Sequence, residues 1–361
     1  MFLDNYLTNS CNLRCSYCYF KEKNHKRCNI ELIERTLNHF LSAKYKDSTL
    51  YYTFIGGEPM IEFELIKDAV EIGKKLAKKN NKKIFFNLVT NGVLLDDPKI
   101  DFLRKNNFYV VLSFDGKQKT QDHQRMFPRG NSCFNIVEDV LIKLNKVIPN
   151  LTVRMTVTPF SSKYLFDNVK YLFSKKIDRL GFIPTYEKNW DSGDFYLFKK
   201  NIGKILEMWK ENTKNRPDFH IMPFINYIKN WNGNSFPFHA YMHSCQLKKQ
   251  ERGYSISVKG DIYPCHRFVS MNQSIFKFGN ILNKGVEEDI EKKFYDKTTI
   301  KIRHKLFDYG CPALNYENNK NFKKLLTNYH EFENIYSGFI SEIYSNKKYK
   351  RFLIHLDSFS I

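Results

Sequence analysis

"LDNYLTNSCNLRCSYCYF", Leu3 to Phe20, joins a short apolar run to three cysteines within eight residues. The run Leu3–Asn9 reads as a strand, and the C-x3-C-x2-C spacing of Cys11, Cys15 and Cys18 falls in the loop after it. Four cysteines would suit structural zinc or a fully ligated iron–sulfur cluster. Three with no close fourth suit a 4Fe-4S cluster with one iron open. An open iron can bind and activate something, so the missing ligand is informative.

Outward from this loop, short apolar runs alternate with helical patterns to about residue 215. The further runs are "LYYTFIGG" (50–57), "IFFNLVTNG" (84–92), "FYVVLSFDG" (108–116), "LTVRMTVTP" (151–159) and "DRLGFIPT" (178–185). They are rich in β-branched and aromatic residues, and several end in Gly or Pro. Ile30–Lys44, Phe63–Lys79 and Phe134–Lys146 carry apolar residues at three- and four-residue spacing, as amphipathic helices do. Six such alternations predict an α/β fold with a parallel sheet and outer helices, which an open or partial barrel fits better than two separate sheets. The expected architecture is a partial (β/α)6 TIM-like barrel over residues 1–230. Near residue 230 the pattern changes. "GYSISVKGDIYPC" reads as a hairpin turning at Lys259-Gly260-Asp261, within a small α+β region at 231–315. A helical C-terminal tail follows at 316–361.

The 361 residues carry a formal net charge of +20. Lysine is spread along the whole chain with Asn, Ile, Phe and Tyr, the mixture an AT-rich coding sequence produces. A basic groove for an acidic peptide fits this charge at least as well as nucleic acid, which is not the partner expected. No stretch approaches the roughly 18 apolar residues of a membrane span. The N-terminal residues lack the features of a signal peptide. A cytoplasmic location is expected, where eight cysteines point to metal or redox work rather than disulfides. Cys28 and Cys133 match no motif and read as small core residues.

"CNLRCSYC", with Tyr17 before its last cysteine, resembles the cluster motif of radical S-adenosylmethionine (radical SAM) enzymes. In that family the open iron chelates the methionine end of SAM, and electron transfer releases a 5′-deoxyadenosyl radical. Other segments agree in order. "GGEP" (Gly56, Gly57, Glu58, Pro59) resembles the family motif that contacts the SAM amino group. Its glycines would let backbone approach the ligand. "TNG", with Thr90 and Asn91, and "LSFDG", with Ser113, match family positions at the carboxyl ends of strands, where ligands sit in parallel α/β folds. "SFDGKQKTQDHQRMFPRGNSCF" is similar to the pattern S-x-D-G, H-D-x-x-R, S-F, with Gln121 in place of the histidine. The resemblance implies that Ser113 and Arg125 contact the SAM carboxylate.

Cys245, Gly260 and Cys265 resemble the first element of the SPASM and twitch regions, which hold auxiliary clusters in radical SAM enzymes that modify peptides. Cys311 in "YGCPA" matches a later cysteine, while the intermediate ones are absent. The resemblance implies one auxiliary 4Fe-4S cluster on Cys245, Cys265 and Cys311. His243, His266, His304 or a substrate thiol could supply the fourth ligand. Sulfatase-maturating relatives carry an aspartate after the equivalent of Cys265, and here that place is His266. "YPCHRFV" is more similar to maturases that cross-link ribosomal peptides. Three roles are open to His266: general base, iron ligand or structural residue.

The expected function is hydrogen abstraction from a ribosomally synthesised peptide followed by an intramolecular thioether, carbon–carbon or carbon–heteroatom cross-link. The expected partners are a peptide, with an acidic leader in one reading, and an electron donor such as flavodoxin or ferredoxin. Because the cluster motif begins at residue 11, no N-terminal leader-binding module is expected within this chain, and leader recognition is expected from a separate leader-binding protein or from residues 321–361. The alternatives are radical SAM chemistry on a small molecule, and a non-catalytic iron–sulfur protein that binds nucleic acid.

Overall fold

The computed structural model describes residues 1–21, 23–212, 216, 219–222, 224–225, 253–298 and 311–345. In chain order the first strands and helices are β1 (Phe2–Thr8), α1 (Ile30–Leu41), β2 (Thr49–Gly56), α2 (Phe63–Lys79), β3 (Lys83–Thr90), α3 (Asp97–Lys105), β4 (Tyr109–Ser113), α4 (Gln118–Gln124) and α5 (Phe134–Val147). Then come β5 (Leu151–Val157), α6 (Pro159–Ser162), α7 (Leu165–Ser174), β6 (Arg179–Pro184), α8 (Ser192–Asn212) and β7 (His220–Ile221). The late elements are β8 (Gly253–Ile256), β9 (Asp261–Tyr263), α9 (His266–Met271), β10 (Gly279–Asn280), β11 (Gly285–Val286), α10 (Glu288–Thr298), α11 (Pro312–Asn319) and α12 (Thr327–Ser345). The expected strands appear with ends shifted by no more than three residues, and α2 spans the expected Phe63–Lys79. The first helix stops at Leu41 instead of Lys44, because Ser42 turns extended and its N–H and hydroxyl both bond the His39 carbonyl. No described helix is long and apolar enough to cross a membrane.

The chain divides into two interleaved units. The first comprises Met1–Ser113, Gln121–Leu151 and the described residues between Phe238 and Lys301. Its strands run β11-β10-β9-β8-β1-β2-β3-β4, with β8, β1, β2, β3 and β4 parallel. Leu3 and Leu7 of β1, Phe54 of β2 and Phe86 and Leu88 of β3 are all buried, each fully buried side chain contributing about 1.5–3 kcal/mol. Helix α1 carries Leu32, Ile33, Leu37 and Phe40 on its buried face and is capped by Asn29, whose side chain accepts from the Leu32 N–H.

The expected hairpin is present, β8 against β9, with Gly260 at φ +84 closing its turn. Asp261 belongs to β9 rather than to the turn. What sequence pattern did not indicate is its place. Strand β8 lies parallel to β1, Phe2 opposite Gly253 and Asn5 opposite Ile256, so the late region extends the same sheet.

The second unit comprises Phe114–Thr120, Thr152–Pro237 and Ile302–Ile361, as far as these are described. Strands β5, β6 and β7 are parallel. The tail is helical as expected through α11 and α12, and residues 346–361 lie outside the described ones. Phe332 of α12 seats among Tyr186, Trp190, Phe195 and Phe198, ring centroids 4.8–5.3 Å apart, which fixes α12 to α8.

Candidate active site

Cys11, Cys15 and Cys18 are half-buried cysteines on the loop that leaves β1. Backbone bonds shape that loop from both sides. The Asn9 N–H donates to Lys26 O (2.9 Å) and the Cys28 N–H to Leu7 O (2.8 Å). Beyond Cys11, the Arg14 N–H donates to Met126 O (2.8 Å) and the Ser16 N–H to Gln124 O (2.9 Å). Burial pushes the Cys11 thiol above its ordinary range, so a cationic group is what would hold it as thiolate. Among the described residues no three His, Cys, Asp or Glu converge on a single ion. An iron–sulfur cluster does not require that, since each cysteine binds a different iron.

The glycines of GGEP also make a close approach to the protein's own backbone. Gly56 holds φ +146, and a Cβ there would lie 2.4 Å from Thr8 O. A Cβ on Gly57 would lie 2.1 Å from Ser10 O. The Gly57 and Glu58 N–H groups donate to Thr8 O and Ser10 O, both at 2.8 Å. These glycines press the end of β2 against the backbone that enters Cys11.

Glu58 is fully buried. Its Oε1 accepts from Thr90 Oγ1 (2.7 Å) and the Met60 N–H (3.1 Å), and its Oε2 from the Asn91 N–H (2.7 Å). Burial nevertheless outweighs these bonds and pushes its pKa up to about 7. Pro59 begins the single turn Pro59–Glu62 that Glu58 caps. Asn91 Nδ2 donates to Asn12 Oδ1 (2.8 Å) and stands 4.0 Å from Cys11 Sγ. The carboxyl ends of β1, β2 and β3 thus meet, bringing a buried carboxylate close to the cysteine loop. This donor set suits a small zwitterion with an added positive charge, which is the character of SAM.

Arg125 is buried, its guanidinium carbon 5.1 Å from the Tyr17 ring centroid. Ser113 is half-buried and ends β4.

Pairing of β8 with β1 carries Cys265 and His266 to the same sheet. Cys265 is buried, and His266 opens α9. Tyr6 Oη donates to the His266 carbonyl (3.0 Å) and lies 3.4 Å from Tyr19 Oη. The Tyr19 and His266 rings are 5.7 Å apart. His266 Nδ1 is 3.8 Å from Asp4 Oδ2, which also accepts from Ser255 Oγ at 3.3 Å. Asp4 is 1% exposed, and sequence reasoning missed it as a site residue. Its signal was an acid inside a strand expected to be buried on both faces, a residue type rarely buried without a partner.

Of the three late cysteines, Cys245 lies outside the described residues, as do His243 and His304. Cys311 belongs to the second unit, half-buried at the start of α11. Beside it the phenols of Tyr186 and Tyr329 are pushed up, chiefly by burial and further by Glu333 and Cys311.

Residues 5–164 match the family model of the radical SAM superfamily. The chain therefore carries a radical SAM domain over these residues. The cofactors of that superfamily are a 4Fe-4S cluster and SAM. Among curated proteins it is similar to the serine-type anaerobic sulfatase-maturating enzyme of Bacteroides thetaiotaomicron, 27% identical over 311 residues, covering 77% of this chain and 71% of that protein. It is also similar to the cysteine-type anaerobic sulfatase-maturating enzyme of Clostridium novyi, 23% identical over 314 residues, covering 81% and 80%. Among solved structures, native anSMEcpe with bound AdoMet and Cp18Cys peptide shares the fold at a TM-score of 0.75 and 22% identity, over 96% of this chain and 99% of that one. The α/β class expected from the sequence is thereby established.

Proposed function

We propose that this protein modifies a peptide, abstracting hydrogen from one residue and closing an intramolecular cross-link. The observation that carries the peptide reading is the likeness to sulfatase-maturating enzymes over 77% of the chain, well beyond the radical SAM segment at 5–164. Cys11, Cys15 and Cys18 would hold the 4Fe-4S cluster. Tyr17, Gly56, Gly57, Glu58, Pro59, Thr90, Asn91, Ser113 and Arg125 would form the SAM site. Bound there, SAM supplies the radical that removes the hydrogen. Glu58 would face the positive end of SAM, and Arg125 would meet its carboxylate.

Cys245, Cys265 and Cys311 would hold one auxiliary cluster, the acceptor for the electron that must leave before a closed-shell product forms. His266, supported by Asp4, would take the proton released as the new bond closes. The choice of a cross-link over simple oxidation rests on His266, which stands where sulfatase maturases have an aspartate. A second reading, oxidation of a peptide Cys or Ser to an aldehyde, draws on the same relatives.

The test is to incubate reduced enzyme and SAM with short peptides encoded beside its gene. A cross-link removes two hydrogens, leaves nothing for a hydrazide to trap, and joins two residues in fragmentation spectra. A hydrazide-reactive product means side-chain oxidation. Deoxyadenosine formed with every peptide unchanged would redirect the search to small molecules.

A further inference from the structure

Two departures from the radical SAM pattern face each other in the structure. Gln121 stands where the pattern has histidine, and Cys133 stands before Phe134 where the pattern has serine. Both are fully buried. Gln121 Nε2 donates to Cys133 Sγ at 3.6 Å, and the thiol donates onward to the Arg125 carbonyl at 3.3 Å. The Arg125 N–H closes the ring by donating to Gln121 O at 2.7 Å.

The segment around Arg125 is fastened on its other side as well. Gln124 and Met126, its two neighbours, accept the backbone bonds from Ser16 and Arg14 in the cysteine loop. Beyond it, Ser132 Oγ donates to Asp122 Oδ1 (2.7 Å), and Met126 bridges Ser132.

We propose that Gln121 and Cys133 are a matched pair of positioning residues that hold Arg125 in place to receive SAM, so that either one works only with the other. This rests on the reading of Arg125 as a SAM ligand. The matching follows from bond lengths. A hydroxyl on the same Cβ would draw its oxygen back from both partners. Contacts of 3.6 and 3.3 Å, which sulfur sustains, would then be too long for oxygen. Burial also keeps Cys133 above its ordinary pKa, as the thiol it must be to donate. An imidazole at position 121 has a different reach and suits the smaller hydroxyl.

The experiment is a SAM titration of the cluster-reconstituted, dithionite-reduced enzyme, read from its electron paramagnetic resonance spectrum and from KM for SAM against kcat. Cys133→Ser and Gln121→His are each expected to weaken SAM binding about tenfold, the scale of one lost buried hydrogen bond. The SAM-free cluster spectrum and kcat should hold. The double variant should recover to within about twofold of wild type. Gln121→Leu, which removes the side-chain amide and with it the bond to Cys133, should match the single losses and covers the case in which Cys133→Ser does not load its cluster. Additive losses in the double variant, or single variants that bind normally while Arg125→Ala binds poorly, would overturn the pairing. Normal binding by Arg125→Ala would instead overturn the reading on which it stands.

Discussion

His266 Nδ1 stands 3.8 Å from Oδ2 of Asp4, bringing a residue of the late region against the first strand of the chain. The carboxylate is buried and anchored by Ser255 Oγ, so it offers the imidazole one fixed orientation. Asp4→Asn keeps the shape and removes the charge. It is expected to lower peptide product at least about tenfold, part of the roughly hundredfold or more that a general base contributes, while deoxyadenosine formation continues. Parallel loss of both would assign Asp4 to the fold instead.

Glu58 gives a pH dependence whose sign is determined by burial. Its carboxyl, pushed up to about 7 from 4.5, is favoured in the protonated form by the folded state. Stability is therefore fully present below pH 4.5 and is lost as pH rises through 7, by up to about 3 kcal/mol. Calorimetric melting of cluster-loaded, SAM-free enzyme should show this fall between pH 5 and 8. Glu58→Gln should be flat by comparison, and saturating SAM should restore the wild type most at pH 8. A wild-type slope that persists in Glu58→Gln would exclude this carboxyl as its source.

Gly57→Ala forces a methyl against the Ser10 carbonyl, where backbone has nowhere to retreat without moving Cys11. Iron content after reconstitution should fall by more than half, and melting should drop by several degrees, as for about 2 kcal/mol or more. An alanine variant that loads iron normally would show that the contact yields.

The auxiliary cluster is tested by changing Cys11, Cys15 and Cys18 together to alanine. About four irons per chain should remain, bound at the second site. Iron near zero would make Cys245, Cys265 and Cys311 ordinary thiols.

Much of the first unit was legible because its signals are local. Apolar runs such as Leu50–Gly57 become strands where a parallel sheet buries both faces, and Phe63–Lys79 is a helix over the span its spacing indicates. Relationships across the sequence left no such trace. Nothing in "GYSI" says that it lies beside Phe2–Asn5, so the Asp4–His266 approach was hidden with it. The GGEP glycines read as a place where backbone approaches a ligand, and the pattern gives no sign of their close approach to Thr8–Ser10. Gln121 reads as an isolated departure and Cys133 as a small core residue, and only the fold brings them together.

Strand β1 hydrogen-bonds to β2 on one side and to β8 on the other. During synthesis its second edge has no partner until residue 256 has left the ribosome, long after β2, β3 and β4 have emerged. The nascent chain must carry an open edge of β-sheet through most of its translation, a state prone to pairing with other chains. Closing such a distant contact also makes for slow folding. A version cut near residue 230 would keep the cysteine loop intact and yet leave that edge bare, so aggregation, not loss of chemistry, would be its first symptom.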